Sequence, residues 1–190
     1  IGECVMASKI KVDTLETADG TGSITLNNQL SGMTTASLPA LGSAQMPTGS
    51  VLQAVTATDQ TQRSTTSTSY VTAGNTLAVN ITPISTSSKI LVLVSVIGGH
   101  STGGGTVAYF TIFRGSTDLG STAGNGNGLS QNYGGSSDVR TSMNMNILDS
   151  PSTTSQITYQ VYIKDDGSSG QVDINWNNCK GTITAMEIQG

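Results

Sequence analysis

From residue 50 onward, short runs of alternating apolar and polar residues recur at the spacing expected of an all-β sandwich or barrel. Ile157, Tyr159, Val161 and Ile163 fall on every second position, so a pleated strand carries them on one face and Thr158, Gln160 and Tyr162 on the other. That predicts a strand buried on one side and wet on the other. Ile90-Leu91-Val92-Leu93-Val94 is apolar throughout, which predicts a central strand whose second face is covered by another sheet or a neighbouring subunit. Strands are expected near 51–57, 70–72, 77–84, 89–97, 107–114, 142–148, 156–164, 172–176 and 182–188. No long segment carries a helical period. Eight or nine strands suffice for a jelly roll, so the expected fold is all-β, with residues 50–190 forming a jelly-roll-like antiparallel β-sandwich head.

Residues 1–49 have a different texture. Two β-type runs, 9–15 and 22–26, flank the turn-rich Ala18-Asp19-Gly20-Thr21-Gly22. From 27 to 49 the apolar residues are sparse and small, and Gly32, Pro39, Gly42, Pro47 and Gly49 break any regular pattern. A two-stranded unit alone is marginal in water. Residues 1–49 are therefore expected to be an extended N-terminal arm and connector that orders against partner chains, an anchor rather than a domain.

Composition narrows the function classes. Among 190 residues only 11% are charged, against about 25% in typical domains, while 53 are Ser or Thr. The surface is hydroxyl and amide. A net charge of −4, spread without runs, offers no basic stripe for a phosphate backbone, so no nucleic-acid partner is expected. The apolar stretch at 90–97 is far shorter than the roughly 20 residues that span a bilayer, so no membrane insertion is expected either. Two cysteines, Cys4 and Cys179, cannot make the dense framework of small disulfide-stapled domains, and Cys179 is expected to be a free, inert thiol.

Catalytic groups are scarce. His100 is the sole histidine, and the glycines from Gly98 to Gly105 place it in an expected solvated loop with no nucleophile elbow nearby. One histidine and two distant cysteines do not make a tetrahedral zinc site. Asp165-Asp166-Gly167 lacks the alternating ligands of a calcium loop and reads as a hairpin turn. A carboxylate pair for glycoside hydrolysis would have to be assembled from the scattered Asp118, Asp138, Asp149 and Asp173. The expectation is no enzyme, no catalytic residue, no cofactor and no metal. Binding is another matter. The segment 120–137 is longer than an ordinary connection and carries Asn125, Asn127, Asn132 and Tyr133. Aromatic rings beside amides hold sugars by stacking plus hydrogen bonds, so these residues, with Trp176, are the receptor-binding candidates.

Several short stretches, taken in order, carry a family likeness. They are Ser8-Lys9-Ile10-Lys11-Val12-Asp13-Thr14-Leu15, Gly22-Ser23-Ile24-Thr25-Leu26-Asn27-Asn28, Ser87-Ser88-Lys89-Ile90-Leu91-Val92, Phe113-Arg114-Gly115-Ser116, Leu148-Asp149-Ser150-Pro151 and Thr182-Ile183-Thr184-Ala185-Met186-Glu187-Ile188. Together they resemble virion appendage proteins of tailed bacteriophages, particularly marine ones. The resemblance implies a homotrimeric tail fibre, head fibre or capsid decoration at the virion surface. Its N-terminal arm would join other virion proteins, and its β head would face outward, where host surface glycans are the expected ligand. Such families share no catalytic residues, so none is carried over. The rival expectation is a carbohydrate-binding adhesin module of a bacterial surface protein, built on the same sandwich without a particle.

Overall fold

In a computed structural model, residue 42 and residues 45–101, 107–120, 128–134, 137–167 and 170–190 are described. Both β runs expected in the arm lie outside the described residues. Within them the strands are β1 (Val51–Asp59), β2 (Arg63–Thr65), β3 (Ala78–Ile81), β4 (Lys89–Ser101), β5 (Val107–Arg114), β6 (Thr117–Asp118), β7 (Ser130–Tyr133), β8 (Val139–Asp149), β9 (Ile157–Asp165), β10 (Gln171–Ile174) and β11 (Gly181–Ile188). All pairings are antiparallel.

The first sheet is organised on β4. One edge of β4 pairs with β8 from Ile90 to His100, and the other pairs first with β11 and then with β10. Outside these, β1 pairs with β11 and β2 with β10. Thus β1/β2 and β10/β11 are two long strands, each broken once, and the sheet is four strands wide. The second sheet runs β3, β9, β5, with β6 and β7 sharing the far edge of β5. Counting each broken strand and the β6/β7 pair as one gives eight strands, ordered 1-8-3-6 in one sheet and 2-7-4-5 in the other. That order is a jelly roll, and the expected fold class holds.

The break between β10 and β11 is an asparagine turn. Asn175, Asn177 and Asn178 have φ of 55°, 54° and 57°, the left-handed region that asparagine tolerates better than most residues. The opposite break is stitched to it: the Asn177 amide donates to Gln62 Oε1 at 2.9 Å, and the Gln62 amide donates to Asn178 Oδ1 at 3.2 Å. The strand expected to run through Trp176 therefore stops at Ile174, and Trp176 opens a short 3₁₀ turn.

Between the sheets, alternate residues interlock: Val92, Val94 and Val96 of β4, Phe110 and Ile112 of β5, Met143 and Met145 of β8, Tyr159, Val161 and Ile163 of β9, and Ile183 of β11. The head's two ends lie side by side, since the Gly49 amide donates to the Gln189 carbonyl at 2.8 Å and the Gln189 amide to the Ser50 carbonyl at 2.9 Å.

Three expectations are corrected. The stretch Gly98–Ser101 is strand rather than loop. Gly98 serves close packing there, because a Cβ on it would stand 2.6 Å from the Asp173 carbonyl oxygen and 2.7 Å from Phe110 Cζ. His100 is consequently buried inside the sandwich, with none of its surface in solvent. The segment 120–137 is not one loop, since it contains β7, whose residues Ser130–Tyr133 are held by pairing with β5. Cys179 is free, as expected, and it is exposed.

Candidate functional site

Strand alternation turns Val107, Tyr109, Thr111 and Phe113 of β5 away from the core, opposite Tyr133, Gln131 and Asp118 on the edge strands. Across β5 on the other side stand Lys164, Tyr162 and Gln160 of β9, paired with Tyr109, Thr111 and Phe113. Ahead of β3, the chain bridges to β9 at Val71, whose amide donates to the Ile163 carbonyl at 3.0 Å. That brings Tyr70 to the same outer face. The rings form a continuous cluster: Phe113 stacks on Tyr162 with centroids 4.1 Å apart, and Tyr70 meets Phe113 edge-on at 6.0 Å. Lys164 Nζ lies between two rings, 4.8 Å from the Tyr70 centroid and 4.9 Å from that of Tyr109.

Beside this cluster is a cleft of about 520 Å³ lined by Thr68, Val107, Tyr109, Lys164, Asp165 and Asp166. Burial, and then the Asp166 carboxylate, push the Tyr109 phenol above its usual pKa. Burial also raises Tyr70, with Asp118 and Tyr109 adding to it. Both phenols are therefore neutral at physiological pH. Asp165 is fixed at the cleft's inner end: its Oδ2 accepts from the Gly167 amide at 3.0 Å, and its own amide donates to the Ser67 carbonyl at 2.8 Å. Its Oδ1 is buried and faces His100 Nε2 at 4.0 Å, and among the described residues neither this oxygen nor either nitrogen of His100 has a hydrogen-bond partner. Asn132 and Asp165 both sit opposite Ala108, so this end of the interior is polar where the rest is aliphatic.

The candidates from the sequence are not one constellation. Asn125 and Asn127 lie outside the described residues. Asn132 and Tyr133 are neighbours on β7 and so face opposite ways: Asn132 is buried, with Nδ2 donating to Thr141 Oγ1 at 3.1 Å, whereas Tyr133 is 64% exposed. Only Tyr133 joins the aromatic face, through its pairing with Val107. Trp176 belongs to the other sheet. The Arg140 guanidinium covers its ring at 3.5 Å, while Arg140 Nε and Nη2 donate to Asp173 Oδ2 at 3.0 and 2.8 Å and Nη1 donates to Asp138 Oδ2 at 2.9 Å. Sequence reasoning missed Tyr70, Tyr109, Lys164, Asp165 and Asp166. The available signal was the matching alternation of 107–113 and 158–164.

No protein-family model matches the chain, and no curated protein matches it. Among solved structures it is similar to the VP2 protein of infectious bursal disease virus in derived T=1 particles, at 17% identity and a TM-score of 0.37 over 79% of this chain and 40% of that one. It is also similar to the T13 particle of the same virus, at 15% identity and a TM-score of 0.38 over 80% and 40%, and to the VP2 subviral particle, at 16% and 0.35 over 80% and 42%. The chain thus spans about two fifths of the length of these proteins. All three are proteins of virus particles, and none of the three is an appendage of a tailed phage.

Proposed function

We propose that this chain is a structural, non-catalytic virion protein, a homotrimeric fibre or capsid decoration that attaches through residues 1–49 to other virion proteins. Its β head is displayed outward and meets host surface glycans. The observation that carries this reading is the bare outer face of the four-strand sheet. Pairing sets Ala54, Met186, Leu91 and Leu148 in one row, Thr56, Thr184, Leu93 and Asn146 in the next, and Thr58, Thr182, Ser95 and Asn144 in a third. Leu93 is 38% and Leu148 52% exposed. A lone domain gains nothing from aliphatic side chains held in water across its central strands. A second copy covering them gains on the order of 25 cal/mol per Å² of apolar surface. None of these twelve positions is charged, so the face meets its own copy without like-charge repulsion. The count of three comes from the resemblance of the sequence, and the need for a partner from the face. Jelly rolls serve both capsids and lectins, so the fold leaves the choice to the surfaces.

The aromatic outer face of the second sheet favours the rival reading, a carbohydrate-binding adhesin module without a particle. Native mass spectrometry of the full chain and immunogold microscopy of intact particles, with antibody against residues 50–190, separate the two. A trimer, with gold on the tail or head, supports the virion protein. A stable monomer with no gold on any particle overturns it in favour of the adhesin.

A further inference from the structure

The cleft on the second sheet has a definite chemical character. Its volume of about 520 Å³ lies within the range of small-molecule sites and is ample for one sugar ring. One wall is apolar, from Tyr109 and Val107, and the others are polar, from Thr68, Lys164, Asp165 and Asp166. Its polar groups are held in place before any ligand arrives: Lys164 by two aromatic rings, Asp165 by the Gly167 amide. Such preorganisation lowers the cost of binding.

We propose that this cleft binds a neutral, hydroxyl-rich sugar ring at the end of a glycan. The inference rests on the glycan-meeting head proposed above and names its site and ligand class. Hydroxyl groups donate to the carboxylate of Asp166 and accept from the Lys164 ammonium, while the ring's C–H face lies against Tyr109 and Val107. The open carboxylate of Asp166 balances the Lys164 ammonium, and Asp165 lies beneath them, so the cleft offers no net positive charge to sialic or uronic acids and admits neutral hexoses. Exposed Tyr133, beside Val107, offers the next ring of the glycan a second stacking surface.

The test is a printed array of neutral and sialylated oligosaccharides probed with the full chain, followed by titration of the best ligand against Asp166→Asn, Lys164→Gln and Tyr133→Ala. Neutral glycans are expected to bind. Asp166→Asn and Lys164→Gln are each expected to weaken binding by about tenfold, the usual effect of losing a hydrogen bond to a charged group. Tyr133→Ala should weaken longer oligosaccharides more than monosaccharides. All three positions are at least partly open to solvent, and far-UV circular dichroism checks that each variant folds. Binding to no neutral glycan, binding only to sialylated ones, or unchanged affinity in both Asp166→Asn and Lys164→Gln overturns the proposal. None of these outcomes depends on where the protein sits on a particle, which the gold labelling decides separately.

Discussion

Replacing Arg140 by alanine probes a charge with no access to solvent. Asp173 has no exposed surface, and Arg140 supplies both short bonds to its Oδ2, whereas Gln171 reaches Oδ1 only at 3.5 Å. Removing one partner of a buried ion pair costs about 3–5 kcal/mol, because the remaining charge stays buried without compensation. The lost contact with the Trp176 ring adds about 0.5–1 kcal/mol, and the bond to exposed Asp138 adds little. We expect Arg140→Ala to destabilise the head by about 4 kcal/mol, a large share of the roughly 5–15 kcal/mol typical of a domain. Asp173→Asn should cost much less, since Arg140 can turn toward water. The double variant should recover a good part of the loss, because no bare carboxylate then remains. Urea unfolding followed by far-UV circular dichroism, at one protein concentration, gives the midpoints and slopes needed. An Arg140→Ala cost under about 1 kcal/mol, or strict additivity in the double variant, would refute the argument from desolvation.

Leu93→Asp combined with Leu148→Asp should leave the secondary structure intact and convert the proposed trimer to monomer in native mass spectra; an unchanged oligomer would remove the first sheet's outer face from the interface. Burial alone would raise the pKa of Glu187, but donors from the Gln53 side chain and the Ile84 amide outweigh it and hold the pKa below the ordinary value of 4.5. A carboxylate lowered on folding stabilises above its unfolded pKa, so this contribution is full above about pH 4.5 and lost as pH falls through the folded value. Glu187→Gln should therefore flatten the decline of Tm below that pH, and an equal decline in both proteins would count against it. Gly98→Ala forces a methyl against Phe110 and the Asp173 carbonyl, an overpacking worth about 1–3 kcal/mol or more, readable as a shift in thermal midpoint; a neutral result would mean that β4 yields locally.

Strands with strict alternation were legible from the chain itself. The run 107–114 has its actual bounds, and β9 differs from its expected span only at the ends, because period-two burial is written into the side chains. β2, β6 and β7 were not legible. Arg63-Ser64-Thr65 and Ser130-Gln131-Asn132-Tyr133 carry no apolar alternation of their own and are strands only through their partners β10 and β5. Glycine misled at Gly98, where it signals close approach rather than a turn, and His100 followed it into the wrong environment. The site suffered from the same long range. Tyr133 was visible as an unusual aromatic, but its partners at 68, 107–109 and 164–166 meet through register between strands far apart in sequence.

The pairing of β1 with β11 also dictates when the head can finish folding. Val51 bonds beside Ile188, so the first strand of the sandwich has no edge to join until the last has been made. During synthesis, β1 waits through nearly the whole head with its backbone unpaired. Closure is then a single late event across the longest loop in the domain, which makes for slow folding and for exposure of strand edges to other nascent chains. Copies made close together would meet in that state, so the proposed assembly and the final closure of the sandwich would compete for the same short interval.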